Sequence, residues 1–188
     1  MTYPQLLATR YATGTPLPAD FQRPAPTFDF VDRAKLPAGA KVLSAARAKN
    51  GVVWAVTDRG VFCSQGEQYV PLRVPGVSNG THLPLSPDLQ VTFVTDDPQG
   101  HLWAATTHGL YVTDGADWWH GIDRRDGMPY DALTCVHLAA NGDVWGGTHE
   151  GAWRLRDGQF RYFWGKRWLP GNKVSAIWTD AKGRAWIE

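Results

Sequence analysis

The feature that most constrains this chain is the periodicity of its tryptophans. Trp54, Trp103, Trp145 and Trp186 are separated by 49, 42 and 41 residues, the period of a repeat architecture. Three residues before each stands a glycine, Gly51, Gly100, Gly142 and Gly183. Apolar residues recur twelve and nine before, as Val42 and Ala45, Val91 and Val94, Leu133 and Val136, then Val174 and Ile177. Downstream of the first three tryptophans come Thr57, Thr106 and Thr148 at three, Gly60, Gly109 and Gly151 at six, and Phe62, Tyr111 and Trp153 at eight. A further aromatic follows at fifteen, as Tyr69, Trp118 and Phe160.

Each repeat reads as four short strands. The β-branched run from Val174 to Thr179 is the first, and the glycine that ends the following turn marks a positive φ. The second strand carries the repeat tryptophan. Gly60, Gly109 or Gly151 punctuates the reversal into the third, and the fourth carries the last aromatic. A strand such as His101 to Thr106, with little polar alternation, calls for sheets covered on both faces. Four-stranded sheets of this period stacked radially make an all-β fold, the β-propeller. The repeats fall at 42–90, 91–132, 133–173 and, in part, 174–188, after a proline-rich lead-in over 1–41. Within the lead-in, Thr27 to Val31 is expected as a strand latching the outside of a blade.

Composition narrows the function. Nineteen basic side chains against eighteen acidic leave a formal charge of +1, too little for a nucleic-acid or anionic-membrane partner. No apolar stretch is long enough to span a bilayer, and Met1 to Gly14 lacks the basic and apolar regions of a signal peptide. Cys63 and Cys135 are expected as unpaired buried thiols. No HExxH, CxxC or glycine-rich nucleotide loop occurs, and Asp123, Asp126 and Asp131 lack calcium-loop spacing, so no metal or cofactor is expected.

The segments LPGNKVSAIWTDAKGRAWIE (169–188), DGMPYDALTCVHLAANGDVWGGTHEGAWRL (126–155) and VTFVTDDPQGHLWAATTHGLYV (91–112) resemble the two-component regulator propeller repeat. The copy at 42–62 is weaker, with Ala45 and Ala48 where that family prefers a larger apolar residue and an aspartate. The resemblance implies propellers of about seven blades, in the periplasmic or extracellular sensor part of hybrid histidine kinases that respond to glycans. Three full repeats and half of a fourth are expected to be an incomplete propeller, a fragment of a larger ring or one closed by a second copy, because about four blades are needed to close. Kinase, receiver and membrane segments are not in this sequence.

In a four-stranded meander the turn between second and third strands shares a propeller face with the link to the next blade. Arg59, His108, His149 and Glu150 lie in those turns, and His82, His120, Arg124, Arg125, Tyr130, Lys166, Arg167 and Trp168 in or beside the links. Arginine forks and flat aromatics suit sugars, uronic or sulfated ones best, so a carbohydrate is the expected ligand. The four repeat tryptophans are expected as blade core, with Trp164, Trp168 and Trp119 as ligand contacts. A second reading is a polysaccharide lyase, with His108, His149 or Tyr130 taking the proton alpha to a uronate and Arg124 neutralising its carboxylate. A third is a protein-docking scaffold on the same face.

Overall fold

The computed structural model describes residues 26–71, 89–113, 118–180 and 183–188, with side chains at 118–120 not described. These residues form three antiparallel four-stranded meanders and a two-stranded sheet. The first blade comprises β1 (Val42–Arg47), β2 (Val53–Thr57), β3 (Gly60–Gln65) and β4 (Gln68–Pro71). The second comprises β5 (Val91–Asp96), β6 (Leu102–Thr106), β7 (Gly109–Thr113) and β8 (Trp118–Ile122). The third holds β9 (Leu133–Leu138), β10 (Val144–Thr148), β11 (Ala152–Arg156) and β12 (Gln159–Phe163). The fourth pairs β13 (Ile177–Thr179) with β14 (Ala185–Ile187). β13 is thus shorter than the run expected from Val174, although Ser175 and Ala176 still exchange main-chain bonds with Glu188.

The repeated residues have physical reasons. Gly51, Gly100, Gly142 and Gly183 close the turns after the first strands at φ of 86°, 83°, 84° and 73°, where a side chain is strained. The residue after each of the first three tryptophans opposes the aromatic of the third strand, in the pairs Ala55 with Phe62, Ala104 with Tyr111 and Gly146 with Trp153. Where the ring is largest its partner has no side chain: a Cβ on Gly146 would lie 2.2 Å from the Trp153 indole.

Seams between blades are apolar. Ala46, Trp54 and Val56 of the first blade meet Val94, Leu102 and Ala104 of the second. Ala105 and Leu110 then meet Leu133, Val136 and Trp153 of the third, and Cys135, Trp145 and Ala152 meet Val174 and Ile177. Full burial of the valines, leucines and isoleucine among them contributes about 1.5–3 kcal/mol each. Every seam also carries a hydroxyl: Ser44 Oγ accepts from the Val94 amide at 3.0 Å, Thr92 Oγ1 lies 2.8 Å from the Leu133 carbonyl, and Thr134 Oγ1 donates to the Val174 carbonyl at 2.6 Å. Thr92 and Thr134 stand at register shifts of the innermost strands, which turn their hydroxyls toward the next blade.

Two expectations need correction. Thr27 to Val31 is no strand: the segment bends, enters a 3-10 turn at Arg33–Lys35, and lays Val31 and Leu36 against Ala45, Val53, Ala55 and Phe62. It therefore covers the first blade's leading face and does not pair along an outer edge. A turn in which the Val31 amide donates to the Phe28 carbonyl at 3.0 Å breaks the run, and its apolar residues pack on one side. Of the thiols, Cys135 is buried but Cys63 is only half-buried, and neither is in a disulfide.

Candidate functional site

The turns between second and third strands are built alike. The hydroxyls of Thr57, Thr106 and Thr148 each donate at 2.8 Å to the carbonyl of Gly60, Gly109 and Gly151. The same oxygens accept from the amides of Arg59, His108 and Glu150 at 3.1, 3.0 and 3.0 Å. These three residues are therefore structural equivalents. His149 is equivalent to Asp58 and Thr107, whose side chains accept from the amides of Lys41 and Gln90 ahead of the innermost strands. His108 and His149 are thus offset by one place, so their imidazoles do not form a repeated pair. The turns adjoin the inter-blade links, as the main-chain bonds from Gly109 to Asp131 at 2.8 Å and from Val174 to Thr148 at 2.9 Å show.

Between the second and third blades the link folds tightly. Asp123 and Asp126 form a capping box around a 3-10 turn over Arg124–Asp126, which Gly127 ends at φ 91°. Arg125 forks onto Asp123, with Nε 2.9 Å from Oδ2, and this guanidinium first of all holds the Asp123 carboxyl below its usual range. Arg124 Nε lies 2.9 Å from Asp131 Oδ1. Both arginines expected to meet an anionic ligand are thus already matched to carboxylates. Their heads stay exposed to water, so the pairs add little stability.

Beside them runs an aromatic row. Tyr130, from the same link, lies 5.3 Å between ring centroids from Tyr162 of β12, and Tyr162 stacks at 6.4 Å and 20° on Trp164 of the next link. Trp164 is 59% exposed and Tyr130 37%. The Tyr162 hydroxyl donates to the Glu150 carbonyl, tying the row to the His149–Glu150 turn. Burial, then the neighbouring Tyr130, pushes the Tyr162 phenol up to about 12, so it is un-ionised at ordinary pH. Gly151 makes the close approach possible: a Cβ there would lie 2.4 Å from the Phe163 carbonyl oxygen, 3.1 Å from Tyr162 and 3.2 Å from Trp164 Cβ.

Of the residues expected at the site, Tyr130 belongs to this row and the Glu150 carbonyl is bonded to it, Arg124 is held by Asp131, next in sequence to Tyr130, Arg125 is held by Asp123, and the His108 turn is bonded to the same link through the Asp131 carbonyl. Arg59 sits apart, its Nη2 being 3.6 Å from where a Cβ of Gly39 in the lead-in would stand. Trp168 is not a free platform: it meets Phe163 edge-on at 5.4 Å, and the guanidinium carbons of Arg161 and Arg167 lie 5.5 and 5.3 Å from its ring. His82 and the side chains of Trp119 and His120 lie outside the described residues. Tyr162, at the middle of the row, was not anticipated from the sequence.

No family model matches the sequence, and no curated protein matches it. Solved structures do match. The extracellular domain of the putative hybrid two component system BT3049 from B. thetaiotaomicron is similar with a TM-score of 0.55 and 22% identity, over 79% of this chain and 20% of that one. Virginiamycin B lyase from Staphylococcus aureus is similar at 0.51 and 18%, over 77% of this chain and 47% of the enzyme. PorZ, a surface component of the type-IX secretion system of Porphyromonas gingivalis, gives 0.54 and 15%, over 82% and 25%. The chain thus spans between a fifth and a half of each of these three proteins. At such identities the likeness is one of fold, and with the meanders, the seams and the repeat period it identifies this chain as an arc of a β-propeller, three complete blades and the two inner strands of a fourth.

Proposed function

We propose that this arc belongs to the sensor propeller of a two-component regulator, and that the face holding Tyr130, Tyr162 and Trp164 binds carbohydrate without turning it over. The aromatic row carries this reading. The exposed Trp164 indole, backed by Tyr162 and Tyr130, offers stacking area to the apolar face of a sugar ring, while the Arg124–Asp131 and Arg125–Asp123 pairs offer donors and acceptors to hydroxyls. Because those arginines are charge-compensated, neutral glycans fit better than the uronic or sulfated ones the sequence favoured. The repeat pattern and the fold shared with a two-component extracellular domain support the sensor role.

Titration of tryptophan emission with neutral oligosaccharides tests this reading. Saturable quenching is expected in the parent chain and an affinity about 5- to 150-fold weaker in Trp164→Ala, the loss of a stacking contact being worth about 1–3 kcal/mol. Absence of binding across a panel of neutral and acidic glycans would refute it. A lyase reading draws on the same face, whose turns and links carry His108, His149, Tyr130 and Arg124. Ultraviolet absorbance from an unsaturated uronate product would establish that reading, but Arg124, paired with Asp131, is poorly placed to neutralise a second carboxylate.

A further inference from the structure

On the side of the third blade that faces the fourth, one row across the sheet departs from its counterparts. In the first blade the row runs from Trp54 to Cys63 to Val70, and in the second from Trp103 to Val112. In the third it runs from Trp145 to Arg154 to Arg161. Arg156, two residues along, emerges on the same side. An apolar seam has become cationic.

These arginines line an open cleft of about 430 Å³ with Asp157, Gln159 and Phe160. Their charges are unequally met. Arg156 forks onto both oxygens of Asp143, a carboxylate with its side chain only 3% exposed, and this contact first of all holds Asp143 below the usual range. Arg154 lies further off, its Nε 4.0 Å from Asp143 Oδ2. That Nε is buried and has no hydrogen-bond partner among the described residues. The Arg161 guanidinium stands over the rings of Phe163 and Trp168 at 5.3 and 5.5 Å. With Asp143 and Asp157 counted against three guanidinium groups, one positive charge is left over. Three neighbouring guanidinium groups with one charge uncompensated repel one another, a cost that an oxyanion among their terminal nitrogens recovers.

We propose that Arg154, Arg156 and Arg161 form a binding site for a single oxyanion, a carboxylate, sulfate or phosphate group, on the opposite rim from the aromatic row. A planar or tetrahedral oxyanion takes the free donors of Arg154 and Arg161 from one side while Asp143 keeps Arg156 in place. The group is either a free anion or a side-chain carboxylate of polypeptide packed over this part of the seam. The site is independent of the carbohydrate reading.

The test is thermal unfolding of the 188-residue chain in rising sodium sulfate, with ionic strength held constant by sodium chloride. Sulfate also stabilises folded proteins by exclusion, without saturation and equally in variants. The expected result is a saturable rise in Tm, absent in Arg154→Gln and Arg161→Gln. Should a variant not fold, calorimetric titration of the parent chain with sulfate and with phosphate gives the same answer, a one-site isotherm with competition between the two. If sulfate acts alike on parent and variants, or the titration shows no saturable heat, the proposal is overturned. A glutamate-bearing peptide separates the sources: competition with sulfate assigns the site to a polypeptide carboxylate, and its absence to a free anion.

Discussion

Ser44 illustrates how single atoms hold the arc together. It is 1% exposed and its hydroxyl oxygen receives the Val94 amide across the first seam. Ser44→Ala removes that acceptor without giving water access, so a loss of about 1–3 kcal/mol is expected in urea unfolding; a loss below about 0.5 would mean that the amide finds another partner. Gly146→Ala, which forces a methyl into the Trp153 ring, is expected to cost about 3 kcal/mol, measured in the same way. Such positions differ in how visible they are in a sequence. Glycines at left-handed turns and threonines that bridge them stand out because every repeat needs the same backbone. Tyr162 does not stand out, because the same spacing from the other repeat tryptophans falls on Pro71 and His120. Nor does the pairing of Arg124 and Arg125 with Asp131 and Asp123, which the 3-10 turn of the link creates.

Among elements, the last seam has a pH dependence of its own. His137 on β9 is half-buried, and its Nε2 accepts from the Thr179 amide of β13 at 3.1 Å with the Thr179 hydroxyl at 3.0 Å. Accepting from an amide requires the neutral ring, and burial lowers the imidazole from its ordinary value. The unfolded chain therefore binds this proton more readily than the folded one. The contribution is complete above the ordinary histidine pKa of about 6.5 and declines as pH falls through it toward the lower folded value. His137→Gln, which keeps an acceptor but does not titrate there, is expected to flatten this part of the stability profile against pH. Superimposable profiles of parent and variant would remove His137 from the account. The strands were readable from alternation and turn residues, but the lead-in was not: its apolar spacing suits a strand and a one-sided cover equally, and only the packing of Val31 and Leu36 on the first blade decides.

For the whole molecule, the arc presents two opposite faces, one with aromatic stacking area and compensated charge, the other with the turns at 49–52, 97–101 and 139–143, the last of which carries Asp143 of the arginine cluster. A near-neutral net charge of +1 fits a ligand held by stacking and hydrogen bonds and not by long-range attraction. The sequence was enough to distinguish the two faces, because a meander leaves no freedom in which connections share an edge. It did not disclose the aromatic row on that face, whose rings come from β12 and from the links that flank the third blade. Hydrogen–deuterium exchange of the chain with and without a saturating oligosaccharide tests the assignment most directly. Protection is expected in Gly127–Tyr130, His149–Gly151 and Tyr162–Gly165, with the turns at 49–52, 97–101 and 139–143 unchanged; protection of those turns, or binding that leaves Tyr162–Gly165 unprotected, would contradict it.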